Sequence, residues 1–336
     1  MTLSEAIEVK QGGASLDREQ AQAAMGELLA GAGDEAIRDF LTVWHETGPT
    51  PPELAGFTDA MLAVGVTVDA GDPPVVDIVG TGGGKPTFNI STAAAILASA
   101  AGVKVAKHGN RAVTGACGSA DVLEAIGVTL AQTPEALSRS LAEHRLAFLF
   151  APAMHPELKR VGPIRKSLPF RTVFNMLGPL ASPVSADRRL IGVWDRALIR
   201  RMAEALQLLG VERAFVVHSE DGLDEISPCA TTYVAHLHPA GIEEIELTPG
   251  SFGLFGFDPS GLNPADGVAG NAAILMQALS KIQSPRFSAA APSAASALYL
   301  AGMVASVEQG IEYVKEAVLS GAALEKLDAL RASSAR

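Results

Sequence analysis

The spacing of apolar residues in the first 70 positions is that of surface helices. One stripe recurs at i, i+3, i+4 and i+7 and consists of Ile37, Phe40, Leu41 and Trp44. Asp17 is placed to cap a helix that reaches Leu29, and Thr50 is placed to cap a helix that begins at Pro51. A polar segment rich in Gly and Pro follows at 69–74. We therefore predict a small helical domain over residues 1–70 and a larger domain over residues 71–336.

Beyond residue 74, apolar runs of strand length alternate with helical stretches. Five such runs lie at 75–79, 103–106, 146–150, 190–193 and 214–217. This alternation is typical of a mainly parallel sheet covered by helices. Two later runs, at 232–237 and 242–247, are close enough together to form antiparallel edge strands, and helices are expected near 270–280, 293–305 and 307–320. The predicted fold class is α/β, with a small N-terminal α-helical domain and a large α/β domain built on a mainly parallel central sheet.

Composition narrows the class of protein. With 336 residues, of which 48% are hydrophobic, the chain is long enough for two domains. A formal charge of −11 disfavours nucleic acid and anionic membranes as partners. The acidic N-terminus does not resemble a signal peptide, no apolar stretch is long enough to span a bilayer, and Cys117 and Cys229 form no zinc or disulfide pattern. We expect a cytoplasmic protein in a reducing compartment.

A glycine-rich loop follows the first predicted strand. It contains Gly80, Gly82, Gly83 and Gly84. Asn89, Ser91 and Thr92 come just before a helix expected to start near Ala93, so hydroxyls, free backbone N–H groups and the positive end of the helix dipole can converge on an anion. A purely structural turn remains an alternative for this loop taken alone.

A second loop adds positive charge beside the first. The run at 103–106 leads into Lys107, His108, Gly109, Asn110 and Arg111. Together the two loops predict a site that holds two anionic groups, for which phosphate is the natural ligand.

Several motifs in these loops resemble those of the anthranilate phosphoribosyltransferases. They are the segments 80–83 (GTGG), 89–92 (NIST), 107–111 (KHGNR) and 118–121 (GSAD), with further similar segments at 151–156 (APAMHP), 163–166 (PIRK), 170–179 (FRTVFNMLGP) and 222–227 (GLDEIS). The resemblance covers nearly the whole chain. It implies a helical domain hinged to an α/β domain, an active site between them, and a homodimer formed through the helical domain with contributions from about 163–182.

The resemblance also implies the reaction and its residues. The phosphoribosyl group of 5-phosphoribosyl 1-diphosphate would pass to the amine of anthranilate, giving N-(5-phosphoribosyl)anthranilate and diphosphate, in tryptophan biosynthesis. The implied donor-binding residues are Gly80, Gly83, Gly84, Thr87, Asn89, Ile90, Ser91, Thr92, Lys107, His108, Gly109, Asn110, Arg111, Ala112, Val113, Thr114, Gly115 and Ser119. The implied anthranilate-binding residues are Gly80, Asn110, His108, His155, Arg165 and Gly178. Mg²⁺ would be held by Ser91, Asp224 and Glu225.

The chemistry of these residue types agrees with the implied roles, although each has a simpler reading. Asp224 and Glu225 are suited to Mg²⁺, but adjacent loop carboxylates are most often only solvated. A guanidinium such as that of Arg165 grips a carboxylate through two hydrogen bonds, but it could also be an exposed helix start. His155 alone is more typical of a hydrogen-bonded structural residue. No covalent nucleophile or general base is required, because the anthranilate amine is neutral at pH 7 and diphosphate or water can take its proton.

Two departures from the family pattern affect the phosphate loops. Gly84 replaces the acid that usually follows G-T-G-G, and Lys85 and Pro86 come next. Gly115, Ala116, Cys117 and Gly118 stand where G-K-S-G is usual, which removes a lysine. Lys85 either replaces part of the lost positive charge or points to solvent beside a turn stiffened by Pro86.

Two alternative functions compete with the transferase. A pyrimidine nucleoside phosphorylase would carry a K-H-S-G-R-like loop, whereas this chain has Asn at position 110. A non-catalytic nucleic-acid-binding protein would need a basic face, which the charge of −11 disfavours.

Overall fold

The computed structural model describes residues 1–112, 117–254 and 257–335. The N-terminal region consists of four helices: α1 (Leu3–Gln11), α2 (Arg18–Gly31), α3 (Asp34–Thr47) and α4 (Pro51–Val64). Both predicted caps are confirmed. The Asp17 carboxylate accepts from the Gln20 backbone N–H at 2.8 Å, and the Thr50 hydroxyl accepts from the Glu53 backbone N–H.

The described residues form a sheet of seven strands. These are β1 (Val76–Gly80), β2 (Val105–Gly109), β3 (Leu146–Phe150), β4 (Arg188–Gly192), β5 (Arg213–Ser219), β6 (Thr232–His238) and β7 (Gly241–Leu247). Their order is β3-β2-β1-β4-β5-β6-β7. The first five strands are parallel, and β6 and β7 are antiparallel to their neighbours. The predicted fold class is therefore confirmed, including the antiparallel edge.

Helices connect and cover the strands. They are α5 (Ile90–Ala100), α6 (Ser119–Ala125), α7 (Pro134–His144), α8 (Ala151–Met154), α9 (Val161–Lys166), α10 (Phe174–Leu180), α11 (Leu198–Leu208), α12 (Gly267–Ser280), α13 (Pro285–Leu300), α14 (Val307–Leu319) and α15 (Ala322–Ser334). Short 3₁₀ turns lie at Pro156–Lys159, Pro249–Phe252 and Pro259–Leu262. None of the helices in the described ranges has the length and apolar character needed to cross a bilayer.

Several predicted boundaries were wrong, and three of them have an identifiable physical reason. The helix expected near Ala93 begins at Ile90, because Asn89 takes the cap position. The helix expected over 293–305 runs from Pro285 to Leu300, because the Ser284 side chain caps its start and Gly302, with φ of 73°, follows its end. Strand β2 extends to Gly109 through its pairing with β3, so Lys107 and His108 lie inside the strand rather than in the loop after it.

One apolar core connects the N-terminal helices with a face of the sheet. Within the helical bundle, Trp44 stacks on Phe40, and Phe57 packs edge-on against Phe40. The same cluster contains Ile164 and Phe174 of α9 and α10, together with residues of β4, β5 and α11. The opposite face of the sheet is covered by α5 and by α12 to α15. The segment 163–182 therefore packs with the helices of the first 70 residues.

Candidate active site

The strand order of the sheet reverses between β1 and β4. From β1, the sheet grows through β2 to β3 on one side and through β4 to β5 on the other. In open α/β sheets, ligands bind outside the carboxyl ends of the strands at this kind of switch point. Both phosphate loops and the Asp224 loop follow strands that end at this edge, so the topology brings together three segments that are distant in sequence.

Glycines let the Asp224 loop lie directly over the strand ends. Gly80 and Gly192 are register partners on β1 and β4. A Cβ atom on Gly192 would overlap the Asp224 carbonyl oxygen, and one on Gly80 would lie 3.2 Å from Asp224 Oδ2. A Cβ on Gly84 would lie 2.5 Å from Asp224 Oδ1. The absence of side chains at these three glycines thus leaves the space in which this carboxylate is positioned.

The two adjacent carboxylates are half-buried side by side and are electrostatically unfavourable as a pair. Burial raises the pKa of Asp224. Burial, reinforced by the charge of Asp224, raises the pKa of Glu225 to about 8, while Lys107 and Ser91 oppose that shift. Such a pair needs a positive partner to hold two negative charges at neutral pH.

Ser91 and Lys107 are brought next to Glu225. The Ser91 backbone N–H, in the first turn of α5, donates to Glu225 Oε1 at 3.1 Å. Lys107 Nζ donates to the Ile78 carbonyl at 2.7 Å and lies 3.3 Å from Ser91 Oγ. Burial lowers the pKa of Lys107, whereas Asp77 and Glu225 raise it. The carboxylates and the hydroxyl are oxygen donors, which are the ligands Mg²⁺ prefers, so the residues present fit this ion.

A buried ion pair under the site escaped the sequence analysis. Asp77 and Arg189 lie opposite each other on β1 and β4, with their side-chain atoms 3.2 Å apart. The other oxygen of Asp77 accepts from the His108 backbone N–H at 3.1 Å. A charge in an otherwise apolar strand was the available sequence signal, because a buried charge needs a partner.

The second phosphate loop packs tightly against the start of α6. The Asn110 backbone N–H donates to Ser119 Oγ at 3.2 Å, and a Cβ on Gly109 would overlap that hydroxyl. The guanidinium of Arg111 is already engaged by Asp121 at 3.0 Å and by Glu124. Ala112 donates its N–H to Asp121 at 3.0 Å. Val113, Thr114, Gly115 and Ala116 lie outside the described residues.

The other predicted residues of the first loop differ in the polar groups that they could present to a ligand. Asn89 Nδ2 donates to the Cys117 carbonyl at 3.1 Å, which ties the two loops together. Within the described ranges, Asn89 Oδ1 and Thr92 Oγ1 are buried without hydrogen-bond partners. Ile90 belongs to the apolar core, so only its backbone could reach a ligand. Thr87 is half-buried.

Arg165 and the histidines lie on α9 and in nearby segments. The Arg165 guanidinium lies over the Phe174 ring at 5.3 Å, and burial lowers its pKa. No ion pair of Arg165 occurs among residues 1–112, 117–254 and 257–335. An unpaired, desolvated guanidinium is suited to an incoming carboxylate.

The structure favours the simpler reading of His155. Its Nε2 lies 3.0 Å from the Ala181 carbonyl and its Nδ1 lies 3.1 Å from Glu157 Oε1, so both ring nitrogens are engaged by the protein. The ring lies 5.4 Å from that of His108, whose pKa burial lowers to about 3. A Cβ on Gly178 would meet open space. His155 is therefore held in place by the Ala181 carbonyl and Glu157, and its ring packs beside that of His108.

Arg171 is a further functional candidate that the sequence analysis quoted only as part of a motif. Its Nη2 donates to the Gly83 carbonyl at 2.6 Å, and its guanidinium lies over the Trp194 ring at 5.3 Å. Its charge also opposes the rise in the pKa of Asp224 that burial causes. Arg171 thus connects the segment 163–182 to the first phosphate loop and to the carboxylate pair.

The helical region and the α/β region each match a known protein-family model. Residues 4–65 match a model described as the helical bundle domain of a glycosyl transferase family, and residues 72–324 match the a/b domain of that family. The fold and the site therefore define a glycosyltransferase built from a helical bundle and an α/β domain.

Individual relatives specify the family further. An anthranilate phosphoribosyltransferase of Rubrobacter xylanophilus is 43% identical over 97% of this chain and 96% of its own length. The crystal structure of the Thermus thermophilus anthranilate phosphoribosyltransferase has a TM-score of 0.92 at 37% identity, covering 98% of this chain and 99% of that one. The Saccharomyces cerevisiae enzyme, solved in complex with PRPP and Mg, has a TM-score of 0.89 at 30% identity, covering 99% and 98%.

This chain belongs to the anthranilate phosphoribosyltransferases and is an enzyme of the pentosyl-transferring glycosyltransferases. Membership of this family decides against the nucleoside phosphorylase and nucleic-acid-binding alternatives.

Proposed function

We propose that this protein transfers the phosphoribosyl group of 5-phosphoribosyl 1-diphosphate to the amine of anthranilate in the cleft at the switch point. Three different groups of residues would bind the donor, the metal and the acceptor. The observation that carries this division is the half-buried Asp224 and Glu225 pair beside Ser91 and Lys107. The reaction has the same three requirements, since a diphosphate must be neutralised, a sugar held and an amine presented in line.

The metal group consists of Ser91, Asp224 and Glu225. Mg²⁺ at this position would neutralise the diphosphate oxygens and favour their departure from the ribose. The two carboxylates would then be stabilised by a positive partner, the need for which follows from their raised pKa values. Gly80, Gly84 and Gly192 fix where Asp224 lies, and Ser91 fixes Glu225.

The donor group consists of the two phosphate loops and Lys107. Lys107 is held by the Ile78 carbonyl, so its ammonium is fixed rather than mobile. Asn89 and Ser119 tie the first and second loops to the start of α6. The Arg111 guanidinium is engaged by Asp121 and Glu124, and its backbone N–H donates to Asn110 Oδ1 at 2.7 Å, so phosphate contact at Arg111 requires the donor to displace one of these partners.

The acceptor group consists of Arg165, with Asn110, His108 and Gly178 nearby in the family pattern. Arg165 offers an unpaired guanidinium among the described residues, and the anthranilate carboxylate is its natural partner. His108 is neutral at pH 7, since its pKa is about 3. It therefore lines the site without adding charge. The attacking amine loses its proton after attack, to diphosphate or water, so none of these residues acts as a base.

Assembly and location complete the proposal. We propose a homodimer formed through the helical domain of residues 1–70 with the segment 163–182, which shares its apolar core. We also propose a cytoplasmic location, in keeping with a biosynthetic enzyme. Light scattering on the purified chain tests the first part, and a monomer mass at micromolar concentration would contradict it.

The proposed function is tested by anthranilate fluorescence, which should fall only when donor and Mg²⁺ are both present. In Arg165→Ala, the KM for anthranilate should rise by about tenfold to 150-fold, as expected for losing ~1.5–3 kcal/mol of charge-assisted hydrogen bonding, while the KM for the donor changes little. Lys166→Ala removes the exposed neighbouring cation and serves as the matched control. Equal weakening of both substrates in Arg165→Ala would refute the acceptor role, and robust nucleoside phosphorolysis without anthranilate loss would refute the activity.

A further inference from the structure

Two histidines and a glutamate meet on the antiparallel edge of the sheet. His236 and His238 are two residues apart on β6, so their side chains face the same side, and Glu243 on β7 is the register partner of His236. The three ligand atoms that they offer lie within 4.8 Å of one another. The active-site loop adjoins the other end of β6, where Thr232 pairs with Ser219, so His236 and His238 lie about 13 Å and about 20 Å along the strand from that end at ~3.3 Å per residue.

The buried histidine of this cluster is an independent sign of a ligand. His236 is only 8% exposed, and its Nε2 has no hydrogen-bond partner within the described part of the chain. Its ring packs edge-on against Phe215, with centroids 4.9 Å apart, and lies 5.7 Å from the Tyr299 ring. A buried polar nitrogen without a partner is unfavourable, and a metal ion is a partner that imidazole accepts readily.

Burial and neighbouring charges both act on the His236 imidazole. Burial is the main cause that lowers the pKa of His236, to which His238 and Arg213 add and which Glu243 opposes, with a resulting pKa of about 4. Arg213, on β5, is the one group of these that would repel a cation, and the carboxylate of Glu243 offsets it.

We propose that His236, His238 and Glu243 bind a transition-metal dication of the Zn²⁺ type, with water in the remaining position. Two imidazoles and one carboxylate are a set that favours Zn²⁺, Cu²⁺, Ni²⁺ or Co²⁺ over Mg²⁺, which prefers oxygen ligands. Zinc–nitrogen bonds of ~2.0–2.1 Å require the ligand atoms to approach one another. Glu243 is exposed and can move inward. The metal would connect edge strand β7 to β6.

Binding is tested on the tag-free full-length chain in excess Mg²⁺, added to fill the Mg²⁺ site that we propose at Ser91, Asp224 and Glu225. Zn²⁺ is titrated by calorimetry, and Co²⁺ is followed by its visible absorption. The wild type should bind one equivalent of each. His238→Ala and Glu243→Gln should each weaken that binding by at least about tenfold, since even the loss of a group that only supports a ligand costs ~10–100-fold. His144→Ala, a histidine beside Glu143 and outside the cluster, is the control.

Thermal unfolding provides a second readout that does not depend on activity. Zn²⁺ should raise the unfolding temperature of the wild type and of His144→Ala, but not that of the double variant His238→Ala with Glu243→Gln. The proposal is overturned if the double variant keeps the wild-type Zn²⁺ stoichiometry and affinity, or if the wild type binds no Zn²⁺ under these conditions.

Discussion

Adding one methyl group at Gly84 should displace the proposed metal ligand Asp224 without replacing any ligand residue. The Cβ of Gly84→Ala would lie 2.5 Å from Asp224 Oδ1 and 2.8 Å from the Asp224 backbone nitrogen. Real Cβ contacts shorter than 3.0 Å essentially do not occur, so the carboxylate or its backbone must move by about 0.5 Å. Gly84 has no positive φ, so the substitution adds crowding rather than backbone strain.

The magnitude follows from how little displacement Mg²⁺ tolerates. Its oxygen ligands lie at ~2.0–2.1 Å in near-octahedral geometry, so a shift of about 0.5 Å is a large fraction of the bond length. Overpacking of this kind costs about 1–3 kcal/mol. If that cost falls on the metal-bound state, the Mg²⁺ concentration for half-maximal activity should rise by about 5–150-fold.

The assay is the initial rate of anthranilate consumption against Mg²⁺ concentration, at saturating concentrations of both substrates. Gly26→Ala is the matched control, because a Cβ there meets nothing within 4 Å. Circular dichroism should show that Gly84→Ala is folded. A half-saturating Mg²⁺ concentration within twofold of the wild-type value in folded Gly84→Ala would refute the argument that Gly84 positions Asp224.

Three further perturbations address the remaining parts of the site. Asp224→Asn combined with Glu225→Gln should leave a folded protein whose activity is lost or needs far more Mg²⁺, and an unchanged Mg²⁺ titration would place the metal elsewhere. Lys85→Ala should weaken donor binding by about 1–3 kcal/mol if Lys85 replaces the lost cation at position 116, and equal donor affinity in wild type and variant would assign Lys85 to solvent. The pKa of His108 is lowered to about 3, so its contribution to stability is complete above ~6.5 and is lost as pH falls toward 3. His108→Gln should flatten the loss of unfolding free energy in that window, measured by urea titration, and an unchanged slope would contradict the shift.

Local sequence signals predicted the regular structure well where one interaction dominates. Asp17 and Thr50 form the predicted caps because a cap depends on residues only three positions apart. The strand at Leu146–Phe150 has the predicted bounds, because its whole length is apolar. Strand β2 was predicted too short, since the polar Lys107 and His108 are held in it by pairing with Phe148 and Leu149. Local hydropathy does not report that pairing.

The residue types of the site could likewise be identified from sequence, but their partners could not. Motifs identified Ser91, Lys107, Asp224 and Glu225 as candidates, and the fold brings them together at the switch point of the sheet. The buried partner of Asp77 was not predictable, because Arg189 is 112 residues away and meets it only through the β1–β4 register.

The amino-acid sequence by itself determined the elements, the fold class and the chemistry available, because periodicity, caps and motifs act over a few residues. Only the tertiary structure decided the pKa values and the contacts that give those residues their properties. Burial and charge depend on neighbours from different strands, as the raised pKa of Glu225 and the fixed ammonium of Lys107 show. The same reason applies to the cluster of His236, His238 and Glu243, whose members become neighbours through strand pairing. The His236 imidazole is buried because core residues such as Phe215 pack against its ring.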